Sequence, residues 1–235
     1  MKNHLKRLYM PKFWHVERKG QKFITRPSPG PHKTDGCITV DFLLKEFLKS
    51  AKIRKEVKYI LNNKKLLIDK KAVSDYKFSV GLMDVIDVVD SNEHYRIMLD
   101  ENGHLKLIKI DKDDSNYKFC KIIGKNTLKG NKPQLNFIDG RNIIVDKDVY
   151  KVGDTIIFDF VSKKIKKHLR LEQGARVLLI SGKHIGKIGT IEKINQYKGM
   201  RESTVIFKDK EGIYETLKDY CYIIDKGVRG ENEKN

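Results

Sequence analysis

Between Cys37 and Val89 the spacing of apolar residues changes period twice. Thr39 is a good N-cap with Asp41 in the turn after it, and Leu43, Leu44, Phe47 and Leu48 form a helical stripe, with Lys45 and Lys49 facing elsewhere. Ser50 stands where it can cap a second helix over about 51–61, along which Ile53, Val57, Ile60 and Leu61 recur at helical spacing. Lys52, Arg54, Lys55 and Lys58 cover much of that helix's other surface, with Glu56 as the offsetting acid. Asn62-Asn63 is expected to end it, because Asn tolerates the left-handed conformation. The period then shortens: Leu66-Leu67-Ile68 reads as a strand, Asp69-Lys70 as a turn and Lys71-Ala72-Val73 as the return. Gly81-Leu82-Met83-Asp84-Val85-Ile86 closes this stretch.

Beyond it the chain reads as β-rich. Strands are expected over 94–100 and 104–110 around Glu101-Asn102-Gly103, a hairpin signal, with 111–115 as a polar connector. Further strands follow over 119–123, 134–138, 143–145 and 155–161, punctuated by Asp139-Gly140 and Gly153-Asp154. Short strands of this kind suggest a small barrel or sandwich. Lys163, Lys164, Lys166, Lys167 and Arg170 form a basic bridge that reads equally as a solvated linker. Strands over 177–180 and 188–191 flank a loop over 181–186, and further strands over 204–207 and 213–217 surround Lys210-Glu211-Gly212. Gly182, Gly186 and Gly189 either let a partner approach the backbone closely or only serve the turns of a small barrel. Residues from Gly227 onward are expected to be a frayed tail.

Charge narrows the function. The 235 residues carry a formal net charge of +18, so a polyanionic partner is favoured, since each neutralised phosphate releases counterions. Residues 1–90 hold 20 Lys/Arg against 10 Asp/Glu, 91–170 hold 17 against 11 and 171–235 hold 12 against 10, so the anion-binding surface belongs mainly to the first half. Residues 1–35 carry nine Lys/Arg and one acid, Glu17, before Asp35, and Pro27, Pro29 and Pro31 stiffen RPSPGPHK. This segment reads as a basic arm that threads RNA, with Trp14 anchoring it to the body, and with too few apolar residues to be ordered when free. Cys37, Cys120 and Cys221 are few, odd in number and far apart, which suits a reducing compartment. No apolar run approaches the roughly 20 residues needed to span a bilayer, and the basic N-terminus lacks a signal-peptide core.

Catalytic motifs are missing. The loop around Gly186-Lys187 fails the P-loop pattern, because Ile188 stands where Ser or Thr is required. His184 reads as a solvated or RNA-facing side chain rather than a metal ligand, since no partner ligand lies nearby.

The helix–helix–hairpin order, the basic second helix and the ending LLIDKKAVSDYKFSVGLMDVIDV resemble the S-four-type RNA-binding domain. With LKRLYMPKFW, RPSPGPHK and VGLMDVI added, the chain resembles the archaeal and eukaryotic small-subunit ribosomal family S-four-e, and EQGARVLLISGKHIGKIGTIEKI resembles a KOW motif. The resemblance implies an α+β multi-domain protein. Its parts would be a basic extension (1–36), a small αα-β S-four-type RNA-binding unit (37–90), a β-rich central domain (91–170) and a KOW/SH3-like small β-barrel with a tail (171–235). The implied function is structural: a cytoplasmic constituent of the small ribosomal subunit whose partners are rRNA and neighbouring ribosomal proteins, with no cofactor, membrane or small-molecule substrate. Charge and domain position name the expected RNA-binding residues as Lys6, Arg7, Lys12, Arg18, Arg26, Lys33, Lys49, Lys52, Arg54, Lys55, Lys58, Lys64 and Lys65, with Lys183, His184 and Lys187 in the glycine loop. The alternatives are an RNA-modifying enzyme with an accessory RNA-binding domain, against which Asp139-Gly140-Arg141 is followed by Asn142 and Ile143 rather than Leu-Asp, and a KOW-type transcription factor.

Overall fold

A computed structural model describes residues 4–14, 16–17, 19–197, 202–209 and 211–225. The expected Arg18 contact, Lys210 of the last turn and the expected tail lie outside them. The chain is β-rich with few helices and several sheets, and it divides into two compact units. One comprises residues 1–98, 104–118 and 160–162; the other comprises 99–103, 119–159 and 163–235.

In the first unit, β1 (Leu5–Lys6) pairs with β2 (Phe23–Ile24), and β3 (Cys37–Thr39) leads into α1 (Val40–Phe42). The Thr39 hydroxyl accepts the Phe42 N–H at 3.3 Å, the cap expected for this helix. The helix widens at once into a π-helical turn over Leu43–Phe47. α2 (Arg54–Asn62) starts later than its apolar spacing suggests. The Ser50 hydroxyl donates to the Leu44 carbonyl instead, closing the preceding turn. The amide donors before α2 are satisfied by the Glu56 carboxylate, which accepts from Lys52 N at 2.7 Å and Ile53 N at 3.3 Å. These two bonds hold its pKa below the usual carboxylate range. Ile53, expected in the apolar stripe, is therefore exposed, while Val57 and Leu61 are buried. The left-handed residue after α2 is Lys64, at φ 54°, rather than Asn62 or Asn63.

The main sheet of this unit is ordered β5-β4-β7-β8-β9, from β4 (Leu66–Ile68), β5 (Lys71–Ala72), β7 (Val85–Val88), β8 (Glu93–Leu99) and β9 (Leu105–Ile110); β6 (Ser79–Gly81) pairs with β3. Asp69 and Lys70 form the β4–β5 turn with φ of 50° and 62°, the left-handed pair a two-residue hairpin needs. β8 pairs with β7, from Val85 opposite Arg96 to Val88 opposite Glu93, so hydrogen bonding runs straight across residue 90.

Described residues of the segment before β3 make specific contacts with the rest of the first unit. Trp14 is buried at 2 % exposure, stacks on Phe42 with centroids 5.1 Å apart, and donates from Nε1 to the Cys37 carbonyl at 2.9 Å. Thr25 donates to Asp41 Oδ2 at 2.6 Å, and Ser28 N donates to Lys77 O at 2.9 Å. Much of this attachment is polar and specific.

The attachment reaches a buried ionic cluster. Lys118 opens β10 (Tyr117–Leu128), and its Nζ lies 2.9 Å from Asp69 Oδ2 and 2.5 Å from Asp84 Oδ1, all three side chains being buried. His32 of the arm places Nε2 2.8 Å from Asp84 Oδ2. Asp69 also accepts Val85 N, and Asp84 accepts Gly81 N. Gly81 has to be glycine here, since a Cβ would fall 2.5 Å from the His32 ring.

In the second unit, β11 (Lys132–Phe137), β12 (Asn142–Ile144), β13 (Thr155–Asp159) and β14 (Ile165–Leu169) join β10 in the order β12-β11-β10-β13-β14. β14 corrects the basic bridge: its five cations hide a strand whose Ile165 packs on the core of Cys120, Ile122, Leu135, Phe137 and Ile156. Its Leu169 packs on the next core, that of Val177, Leu179, Ile191, Val205, Phe207, Cys221 and Ile223. That core belongs to an antiparallel sheet ordered β18-β17-β16-β15-β19, made of β15 (Arg176–Leu179), β16 (Ile188–Asn195), β17 (Thr204–Lys208), β18 (Ile213–Leu217) and β19 (Cys221–Ile223). All three cysteines are buried and outside any disulfide.

Lys118→Met leaves two carboxylates buried around an apolar side chain and is expected to cost about 3–5 kcal/mol, measured by urea denaturation at pH 7; a loss below about 1 kcal/mol would show that the cluster is not structural. Burial pushes the Asp84 carboxyl up, but Lys118 and His32 outweigh it and hold it below the usual range. Its stabilisation is therefore complete above the unfolded value of about 4 and lost as pH falls through the lower folded value. Acid titration of stability is expected to show this loss below about pH 4, and Asp84→Asn to flatten it.

Candidate nucleic-acid interface

The expected RNA-binding residues separate by whether a carboxylate already holds them. On α2 and just before it, Lys52, Arg54, Lys55 and Lys58 are all exposed. None of the four has a carboxylate within 4.0 Å among the described residues, because Glu56, the acid of that helix, is turned back onto the amides of residues 52 and 53. Capping the helix thus turns the Glu56 carboxylate onto backbone amides rather than into an ion pair with the basic side chains, although it stays ionised and attracts Lys52.

Arg54 and Lys58, one helical turn apart, converge on a residue the sequence reading passed over. The Arg54 guanidinium carbon lies 5.0 Å from the centroid of the Tyr76 ring and Lys58 Nζ lies 5.5 Å from it. Lys77 Nζ lies 5.8 Å from the same centroid. Arg54 also donates from Nη2 to Thr25 Oγ1 at 3.3 Å, so the arm helps hold the guanidinium in place. Tyr76 is held by its backbone, whose carbonyl accepts Asp41 N at 3.0 Å at the start of α1. A Tyr three residues after a predicted strand end gave no sequence signal; only the fold brings it beside α2.

The other expected residues fare differently. Lys6 lies on β1 and Arg7 in the turn after it, Lys12 is exposed ahead of Trp14, and Lys33 is exposed just before the turn over Thr34–Gly36. Arg26 is half-buried and already engaged in contacts. Lys49 ends the π-helical turn at φ 50° and Lys64 follows α2; both are exposed. Lys65 is matched by Asp90 at 2.6 Å, whose hydrogen bond raises its pKa.

In the second unit, Lys183 is exposed in the β15–β16 loop, and the His184 ring lies tilted against Tyr214 with centroids 4.3 Å apart. Lys187 is hydrogen-bonded to Glu211, which raises its pKa, and its Nζ sits 5.1 Å from the Tyr214 centroid. Gly182 and Gly186 adopt φ of 89° and 82° for the turn, and a Cβ on Gly189 would fall 2.5 Å from the Lys208 carbonyl oxygen. These contacts favour the turn-and-packing reading of the three glycines. Among the described residues no group of three His, Cys, Asp or Glu side chains could hold a metal ion, and no helix is long and apolar enough to cross a membrane.

A β-rich chain with an uncompensated cationic helix face defines a polyanion-binding protein of the nucleic-acid class. Comparison with known proteins gives the family. The model of Ribosomal family S4e, the S-four-e family of the sequence reading, matches residues 91–165, and that of the RS4NT (NUC023) domain matches residues 1–35. The chain is 38 % identical over 229 residues to the small ribosomal subunit protein eS4 of Methanosphaera stadtmanae, covering 97 % of this chain and 95 % of the relative. It is 40 % identical over 195 residues to the eS4 protein of Nanoarchaeum equitans, covering 83 % of each. The crystal structure of the 30S ribosomal protein S4e from Thermoplasma acidophilum superposes with a TM-score of 0.70 at 33 % identity, covering 81 % of this chain and 95 % of that one. The chain belongs to ribosomal family S4e.

Because Lys187 is already matched and Lys58 is not, Lys58→Gln is expected to weaken binding of a structured RNA and lower the salt slope by about 0.7–0.9. Lys187→Gln should change either quantity far less. Titrations of labelled RNA from 50 to 200 mM salt measure both.

Proposed function

We propose that the chain is a structural constituent of the small ribosomal subunit that holds rRNA on basic surfaces at more than one point. The observation that carries the reading is full-length similarity to eS4 proteins together with the unpaired cations of α2. Membership of this family makes it a cytoplasmic protein of the ribosome and not an enzyme, with rRNA and neighbouring ribosomal proteins as partners. Residues 37–90 act as the S-four-type RNA-binding unit, residues 91–170 as the central β domain, and the five strands of residues 171–225 as a KOW/SH3-like element. Residues 1–36 carry further basic contacts beside the first unit.

Lys49, Lys52, Arg54, Lys55, Lys58 and Lys64 contact phosphates, with Lys6, Arg7, Lys12, Arg18, Arg26 and Lys33 extending that surface along the arm. Lys65 contributes only by exchanging Asp90 for a phosphate. Lys183, His184 and Lys187 form a weaker second point, since Lys187 must part from Glu211 and the His184 ring already packs against Tyr214. Phosphate contacts of this kind fix position and register, while folded RNA is distinguished by shape and unpaired bases.

Sedimentation of cell extract through a sucrose gradient at about 0.5 M salt, where weak non-specific phosphate binding is strongly reduced, tests the proposal. The expected result is co-migration with the small subunit at near one copy per particle. Migration at the top of the gradient would overturn it.

A further inference from the structure

We propose that Arg54, Lys58 and Lys77, gathered on the Tyr76 ring, form a preorganised subsite for closely spaced phosphates of a sharply turned RNA strand, with Tyr76 as its positioning residue. The proposal rests on the RNA-binding reading above and adds to it a particular locus and a particular ligand geometry.

Three cationic groups lie between 5.0 and 5.8 Å from one ring centroid, so any two of them are no more than about 11 Å apart. Like charges brought that close repel one another, and among the described residues none of the three is paired with a carboxylate. Two features hold them there nonetheless. The negative face of the ring quadrupole attracts each cation. Thr25 Oγ1 accepts from Arg54 at 3.3 Å and itself donates to the buried Asp41 carboxylate at 2.6 Å. Asp75, the acid next in sequence to the ring, is turned away onto the Ser28 hydroxyl and the Lys77 amide.

Such a cluster is short of negative charge, and a single phosphate would leave most of that deficit in place. Two or more phosphates brought together by a bend in the strand match it better than the evenly spaced phosphates of a straight helix. With Arg54 already on its ring, Tyr76 acts through the cations rather than as a free stacking surface for a base.

The test uses the full chain and two labelled RNAs of equal length, a perfect duplex and a stem closed by a tight loop. Tyr76→Leu removes the ring face and keeps every charge. Binding of the loop RNA is expected to fall about tenfold, with the salt slope unchanged. Tyr76→Phe keeps the face and should bind within about twofold of the parent chain. The triple variant R54Q/K58Q/K77Q should lower the salt slope by about 2–3 and remove the preference for the loop over the duplex. Circular dichroism of each variant checks that the chain remains folded, and a Tyr76→Trp variant, which retains a π face, should bind like Tyr76→Phe. Loop affinity unchanged in a folded Tyr76→Leu chain, or equal affinity of the parent chain for loop and duplex, would overturn the subsite. The broader reading would survive that result if the triple variant still sedimented with the small subunit, and would fail if the parent chain did not.

Discussion

The first unit depends on one lysine. Lys118 is the second residue of a long strand, yet its ammonium group is spent on Asp69 and Asp84, which lie at the same end of the β4–β7 pairing, just beyond Ile68 and just before Val85. Each carboxylate also takes a backbone amide, Val85 N for Asp69 and Gly81 N for Asp84. Charges taken from water at this depth are tolerable only with their hydrogen-bonding capacity filled, and these are. The cluster thereby ties the hairpin turn, the Gly81–Asp84 bend and the start of β10 into one unit, and through His32 it adds the arm.

That anchorage explains how a cationic face can exist on a small unit without unfolding it. The carboxylates of this region serve internal work. Asp69 and Asp84 hold Lys118, Asp41 holds Thr25 and Lys45, Glu56 caps α2, and Asp75 holds Ser28 and the Lys77 amide. The side-chain cations of α2 are left without a carboxylate partner among the described residues. The structural and functional roles of charge are divided residue by residue, and the division cannot be inferred from net charge, which counts both sets alike.

Family membership and the physical reading support each other at different resolutions. Similarity along nearly the whole chain assigns the protein to the ribosome, but it does not say which lysine is already neutralised. The structure separates Lys58, whose charge is unmatched, from Lys65 and Lys187, whose charges are matched by Asp90 and Glu211. The same filter brings in Tyr76 and Lys77, neither of which stood out by composition.

Local order was legible in the residues alone. The Thr39 cap, the Asp69-Lys70 turn, the apolar positions Val57 and Leu61 and the alternating strands of the second half follow from propensities that act within a few residues. So did the basic character of α2, because Lys52, Arg54, Lys55 and Lys58 are adjacent in the chain. Tertiary structure alone decided the rest. The docking of His32 on Gly81, the pairing of Lys118 with acids 49 and 34 residues away, and the strand hidden in the basic run over 165–169 all join groups distant in sequence. The energy of such contacts comes from desolvation and charge pairing in a place that exists only once the chain has folded. No pattern of neighbouring residues encodes it.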